Sequence, residues 1–167
     1  MQNKWLTSNS YYGASDDLIT YYKELIDFHI LIVKAFKEAN VPMVAGTDAG
    51  ISGIVLGFSL HDELKLLVEA GLTNEEALAS ATRLGAEWLE IGDKIGTIEI
   101  GKFADLILLN ENPLEKISNT RKISGVFVNG KWIDRSKIDI MLSDVENWNN
   151  ANREKYNWKK LLNSLKN

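Results

Sequence analysis

One short apolar run constrains the fold more than any other feature of this chain. The run is Val41-Pro42-Met43-Val44-Ala45, and Gly46-Thr47-Asp48 follows it directly. A run that is apolar at every position is typical of a strand buried on both faces of a parallel sheet. We therefore predict a strand over 41–46 with a carboxylate at its exit. No other run of this kind occurs before residue 95, so we expect its unpaired edges to meet a segment outside this sequence or another copy of the chain.

Periodic apolar residues predict helices on both sides of this strand. Residues 16–40 carry apolar side chains at helical spacing, which indicates a long amphipathic helix that ends at Asn40. His29 lies on its apolar stripe, and we interpret it as a core or interface histidine. Capping-box patterns predict two further helices, from Ser59/Asp62 to about residue 70 and from Thr73/Glu76 to about residue 91.

The pattern changes to short β-type runs after Gly92. The predicted β-type runs are 95–100, 104–109 and 123–128. Asn129-Gly130 is a hairpin signal, because both residues tolerate the positive φ angles of a tight turn. From about residue 137 the chain is predicted to be helical again.

Composition excludes several function classes. The chain has 167 residues, 45% of them hydrophobic and 25% charged, as in a soluble globular protein. A net charge of -4 argues against nucleic acid and against acidic membranes as partners, and no apolar stretch is long enough for a transmembrane helix. The absence of cysteine removes thiolate chemistry and fits a cytoplasmic protein. His29 and His61 are the only histidines.

A succession of motifs gives the chain a family resemblance. In order they are Gly46-Thr47-Asp48, His61-Asp62-Glu63-Leu64, Glu69-Ala70-Gly71-Leu72-Thr73, Glu76-Ala77-Leu78, Ala81-Thr82, Ile95-Gly96-Thr97-Ile98, Gly101-Lys102-Phe103-Ala104-Asp105-Leu106, Asn112-Pro113-Leu114 and Val128-Asn129-Gly130-Lys131. Their order and spacing resemble the C-terminal third of the metal-dependent amidohydrolase superfamily, closest to its imidazolonepropionase-like and prolidase-like members. The resemblance covers roughly residues 30–134.

The resemblance implies an α/β fold, in which this chain is the C-terminal fragment of a (β/α)8 TIM-like barrel plus part of a small composite β-sandwich. The implied domains are 1–93 for the last part of the barrel, 94–135 for part of the β-sandwich and 136–167 for a C-terminal helical extension. Residues 41–47 would be the last barrel strand. In TIM barrels the chemistry lies at the carboxyl ends of the strands, which is where Asp48 would lie.

The resemblance also implies chemistry for two residues. Asp48 corresponds to the aspartate that binds the metal, most often zinc, and transfers protons during hydrolysis of a C–N bond in a small-molecule substrate such as a cyclic amide or dipeptide. His61 would be a substrate-binding residue at the barrel mouth. A turn-forming aspartate and an exposed histidine in the first turn of a helix are the simpler interpretations of the same residues.

The chain lacks the rest of the family's metal site. It has no His-x-His pair, and catalytic zinc needs three protein ligands, whereas Asp48 and His61 supply at most two. We therefore expect the metal to be held mostly by residues of a missing N-terminal portion or of another copy in an oligomer, and the isolated chain to be inactive. A split enzyme is one such arrangement. A non-catalytic interaction or regulatory module that retains the scaffold is the alternative.

Overall fold

The computed structural model describes residues 16–49 and 54–153. The helices there are α1 (Asp16–Glu38), α2 (Ser59–Glu69), α3 (Asn74–Ser80), α4 (Arg83–Trp88) and α5 (Arg135–Ala151); the strands are β1 (Leu106–Leu109), β2 (Ile123–Val128) and β3 (Lys131–Asp134); and a 3-10 helix spans Ile117–Arg121. The predicted α/β composition is confirmed. Expectations for residues 1–15, 50–53 and 154–167, including the far end of the helical extension, lie outside the described residues.

The chain divides into two compact units. Of the described residues, the first comprises 16–49, 54–103 and 109–122, and the second comprises 104–108 and 123–153. The core of the first unit is formed by Leu64, Leu67, Leu72, Ala77 and Ile117. Val33, Met43 and Ala45 pack against this core. The predicted domain limits at 93 and 135 stay a prediction.

The first helix ends where it was predicted to end. Asn40 adopts the left-handed conformation with φ 55°, and the Val41 N–H donates to the Phe36 carbonyl at 2.9 Å, as in a Schellman C-cap. Yet α1 buries none of its residues. His29 is exposed, so the core interpretation of this histidine is wrong for the described unit.

The strand predicted over 41–46 does not form. No strand is assigned to residues 41–48, and Ala49 makes only an isolated bridge. The physical reason is that a strand exists only as part of a ladder, and the Ala45 N–H instead donates to the Ser80 carbonyl at 3.1 Å. This segment therefore lies against helices rather than beside another strand.

The two predicted capping boxes have different outcomes. Thr73 and Glu76 form a complete capping box at the start of α3, as predicted. Ser59 does not cap α2: it is already the first helical residue, and its hydroxyl accepts a hydrogen bond from the Val55 N–H at 2.8 Å.

The helix predicted from Thr73 to residue 91 is divided into α3 and α4. Thr82 leaves the helical conformation, with φ -134° and ψ -93°, and its hydroxyl donates to the Leu78 carbonyl at 2.7 Å. Trp88, in α4, is 75% exposed.

Residues 95–100 were predicted to be β-type but form turns and bends. Gly96 and Gly101 have φ angles of +95° and +96°, which no extended strand can accommodate. The Lys102 ammonium donates to the Thr97 hydroxyl within this loop.

The second unit contains most of the sheet, whose strand order is β1-β2-β3. The hairpin prediction is confirmed: β2 pairs antiparallel with β3 through Asn129-Gly130, and both turn residues have positive φ. Phe127 and Trp132 face each other across the hairpin, with ring centroids 4.8 Å apart. Asp134 then caps α5 by accepting from the Lys137 N–H at 2.8 Å.

Across residues 16–49 and 54–153, no helix combines the length and the hydrophobicity that crossing a bilayer requires.

Candidate functional site

Asp48 is an exposed residue with an unusual backbone. Its φ is +49°, in the left-handed region that side-chain-bearing residues seldom occupy and that aspartate and asparagine tolerate best. The two amides shortly before it are both held by helical elements. The Ala45 N–H donates to the Ser80 carbonyl at 3.1 Å, and the Gly46 N–H donates to Oε1 of Glu63 at 3.4 Å.

The first turns of α2 present three consecutive polar side chains, and each has a different partner. Nδ1 of His61 lies 3.0 Å from the Thr120 hydroxyl. The Asp62 carboxylate accepts from the Arg121 guanidinium at 2.5 Å. The Glu63 carboxylate accepts from Gly46. The start of α2 therefore links the 3-10 helix to the segment that carries Asp48.

The hydrogen bonds around His61 indicate which of its nitrogens carries the proton. The Thr120 hydroxyl donates to the Ile117 carbonyl at 2.8 Å, so its oxygen is left to accept a hydrogen bond from Nδ1–H of His61. A neutral His61 protonated on Nδ1 has an unprotonated Nε2, which can accept a proton or a hydrogen bond.

The surroundings of His61 favour this neutral form. Partial burial is the largest cause that lowers the pKa of His61 below its usual 6.5, and the nearby Arg121 guanidinium lowers it further. The Asp62 carboxylate acts in the opposite direction and raises this pKa, but does not outweigh the other two causes. His61 is therefore expected to be largely neutral at pH 7.

We expect His61 to titrate below pH 6.5 in the folded chain, in NMR spectra that also identify the Nδ1-protonated tautomer. Because the folded-state pKa is the lower one, the unfolded chain binds the proton more readily. Above pH 6.5, protonation of His61 does not lower the free energy of unfolding. As the pH falls from 6.5 through the folded-state pKa, the unfolded chain takes up the proton first and the free energy of unfolding decreases. Urea unfolding at pH 7.5 and 5.5 measures this loss, which His61→Gln removes. A midpoint at or above 6.5 contradicts the expectation.

The described residues do not pair Asp48 with His61. Among residues 16–49 and 54–153, no hydrogen bond or ion pair joins them, since the contact of His61 is to Thr120. The same described residues contain no group of three or more histidine, aspartate or glutamate side chains that could hold a metal ion. By themselves they do not fit a complete metal centre.

A cavity of about 200 Å³ lies elsewhere in the first unit, at the end of α1. Lys37 and Glu76 form an ion pair in its wall. Neither Asp48 nor His61 lines it, so this cavity does not mark the place where the two candidate residues lie.

Three residues of this arrangement were not singled out as site residues from the sequence. Glu63 stands in the motif that contains His61, so a helical spacing argument could have drawn attention to it. Thr120 and Arg121 follow their partners on α2 by 59 positions. No local sequence pattern predicts a contact between residues so far apart in the chain.

The structure is thus that of an α/β protein in which helices pack against a segment that ends in an exposed carboxylate, Asp48. Residues 13–133 match the amidohydrolase family, and this match covers well over half of the chain. The chain therefore belongs to the amidohydrolase family, which confirms the resemblance. The family is generally metal-dependent.

Similar proteins include several enzymes of this family. The chain is 38% identical over 84 residues to 5'-deoxyadenosine deaminase from Methanobrevibacter smithii, covering 48% of this chain and 19% of that protein. It is 37% identical over 105 residues to imidazolonepropionase from Maricaulis maris, covering 60% and 26%. A solved structure, a putative prolidase from Bifidobacterium longum, is 29% identical with a TM-score of 0.66, covering 83% of this chain and 36% of that one.

The chain thus spans about a fifth to a quarter of the length of the curated relatives that it matches. The names of those relatives describe different enzymes.

Proposed function

We propose that the chain is the C-terminal part of a metal-dependent hydrolase that cleaves a C–N bond in a small cyclic amide or dipeptide-like substrate. Asp48 is its catalytic carboxylate and the metal ligand that this chain contributes. The remaining ligands come from the missing N-terminal portion or from another copy of the chain, and the proposed metal is zinc. His61 is a substrate-binding residue, and the proposed location is the cytoplasm.

One observation carries the proposal. The family match spans Gly46-Thr47-Asp48, and in the structure Asp48 is exposed with its backbone held in the left-handed region. A left-handed conformation at a residue other than glycine occurs in caps and turns, as at Asn40 and Asn129, and also at functional sites. A carboxylate can transfer protons when its position relative to the substrate is fixed.

The unprotonated Nε2 of His61 supports its proposed role in binding. With Nδ1 directed at Thr120, Nε2 is the nitrogen left to accept a hydrogen bond from a substrate N–H group. Cyclic amides and dipeptides both offer such a donor, in keeping with relatives named imidazolonepropionase and prolidase.

Exposed apolar side chains support a missing partner portion. Ile26, Phe28 and Leu31 of α1 are 53–62% exposed, and Val41 and Val44 of the following segment are 43% and 47% exposed. Large apolar side chains exposed in this number are typical of surfaces that contact a further portion of a protein. In a barrel these are the residues that neighbouring strands and helices would cover.

We expect the purified chain alone to show no hydrolysis of cyclic amides or dipeptides, because the described residues offer no set of three metal ligands. Joining it to the N-terminal portion encoded upstream, or mixing the two polypeptides, is expected to produce a chelator-sensitive activity together with bound zinc, measured by elemental analysis. A chelator-sensitive rate from the chain alone, lost in Asp48→Asn, would contradict the dependence on a second portion.

The missing ligand set also favours a second candidate function, a non-catalytic interaction or regulatory module that retains the amidohydrolase scaffold. The two candidates differ in the coding sequence upstream. An upstream reading frame with a His-x-His strand supports the hydrolase, whereas its absence supports the module.

A further inference from the structure

We propose that Glu63 is a positioning residue for Asp48. Its carboxylate holds the backbone that precedes Asp48, and so fixes the direction in which the Asp48 side chain points. The inference rests on the proposed catalytic role of Asp48 and names a further residue on which that role depends.

The contact between the two residues is a long, exposed hydrogen bond. The Gly46 N–H donates to Oε1 of Glu63 at 3.4 Å, and Gly46 stands two residues before Asp48. A parallel strand would direct amides such as this one to a neighbouring strand. Here a side-chain carboxylate takes the place of that carbonyl.

The backbone at Asp48, next to this hydrogen bond, has an uncommon conformation. Asp48 has a φ of +49°, a conformation that is less stable than the right-handed or extended ones for a residue with a side chain. The Ala45 amide is held by Ser80 and the Gly46 amide by Glu63. Two successive amides are thus anchored to different helices, which restricts the backbone that leads to Asp48.

The start of α2, which carries Glu63, is fixed by contacts of its neighbouring residues. Its neighbours His61 and Asp62 bond to Thr120 and Arg121, so the beginning of α2 is tied to the 3-10 helix. Within residues 16–49 and 54–153, Glu63 forms no ion pair with a lysine or arginine that would compete for its carboxylate. The carboxylate is therefore available to the Gly46 amide.

The first experiment measures hydrogen exchange of the Gly46 amide by NMR in the whole chain. Glu63→Ala is expected to accelerate this exchange about tenfold, the size typical of one lost hydrogen bond to a charged acceptor, and to shift the backbone resonances of Asp48. Glu63→Gln keeps an acceptor oxygen at the same reach without the charge and should restore part of the protection. Glu63→Asp is one methylene too short and should behave like the alanine variant, with the fold intact.

Glu69→Ala is the matched control, because Glu69 is a carboxylate on the same helix whose one ion pair within the described part of the chain is with Lys65, at the surface. Glu69→Ala should leave the hydrogen exchange rate of the Gly46 amide unchanged. Gly46 exchange that is unaffected by Glu63→Ala and Glu63→Asp, or that rises equally in Glu69→Ala, would overturn the proposal.

The second experiment uses the chain assembled with its N-terminal portion. Glu63→Ala should lower kcat by ten- to a hundredfold, since a displacement of about 1 Å can have that effect, with KM unchanged and recovery in Glu63→Gln. Faster Gly46 exchange without any change in kcat would overturn the positioning role. If the assembled wild-type protein is inactive, the proposed function fails by itself, and the Asp48 resonances in the exchange experiment still decide whether Glu63 positions that residue.

Discussion

Replacing Asp48 with asparagine is expected to reduce hydrolysis by the assembled protein about a thousandfold, within the range that general acid–base groups contribute. Asparagine is close to aspartate in size and also tolerates the positive φ of 49° found at this position. The backbone should therefore stay as it is while the ability to take up a proton is lost. Steady-state kinetics should show the loss mainly in kcat.

Asp93→Asn is the matched control for this variant. Asp93 is exposed in a turn of the same unit, so the same change of charge there should leave the rate unaltered. Equal thermal unfolding temperatures of the two variants would show that a lower rate in Asp48→Asn comes from lost chemistry and not from lost stability. Near-normal activity in Asp48→Asn would instead assign this residue a turn-forming role.

Replacing Gly96 with alanine is expected to destabilise the first unit by about 2–5 kcal/mol, the sum of two costs. The first is conformational, because Gly96 has a φ of +95°, which disfavours any side chain. The second is steric, since an added Cβ would lie 2.6 Å from Cβ of Ala86 and 3.2 Å from Cα of Arg83. Ala86 is only 3% exposed and has little room to move. Urea unfolding measures the change.

Gly101→Ala separates these two costs. Gly101 has nearly the same φ, +96°, but an added Cβ there would meet nothing within 4 Å. It should lose only the conformational part, about 1–2 kcal/mol. Equal effects at the two glycines would contradict the close packing between Gly96 and Ala86.

Short sequence patterns correctly predicted a helix end and a hairpin turn, where the outcome depends on the φ angle that one or two residues can adopt. Asn40 ended α1, and Asn129-Gly130 formed the hairpin, because positive φ is a property of the residue itself. Ser59 shows the limit of such signals. It fits a capping pattern, yet its hydroxyl bonds to Val55 and the helix begins one residue earlier than that pattern requires.

The residues of the candidate site also fall into two groups, those that the sequence predicted and those that only the structure revealed. Asp48 and His61 were recognised from motifs that lie within one short stretch of sequence. The partners that hold the tautomer of His61 and the start of α2, Thr120 and Arg121, lie 59 positions away. A side-chain hydrogen bond over that separation depends on how the 3-10 helix packs against α2, which no periodicity encodes.

By itself, the sequence determined the family, the α/β composition and the candidate carboxylate, because each depends on residue type and short-range order. The tertiary structure decided which backbone groups are paired. It placed residues 41–48 against helices instead of in a strand, and it brought Glu63 to the Gly46 amide. The physical reason is that a hydrogen bond needs a partner in space, and the partner of a strand or of a polar side chain is supplied by whatever part of the chain packs beside it.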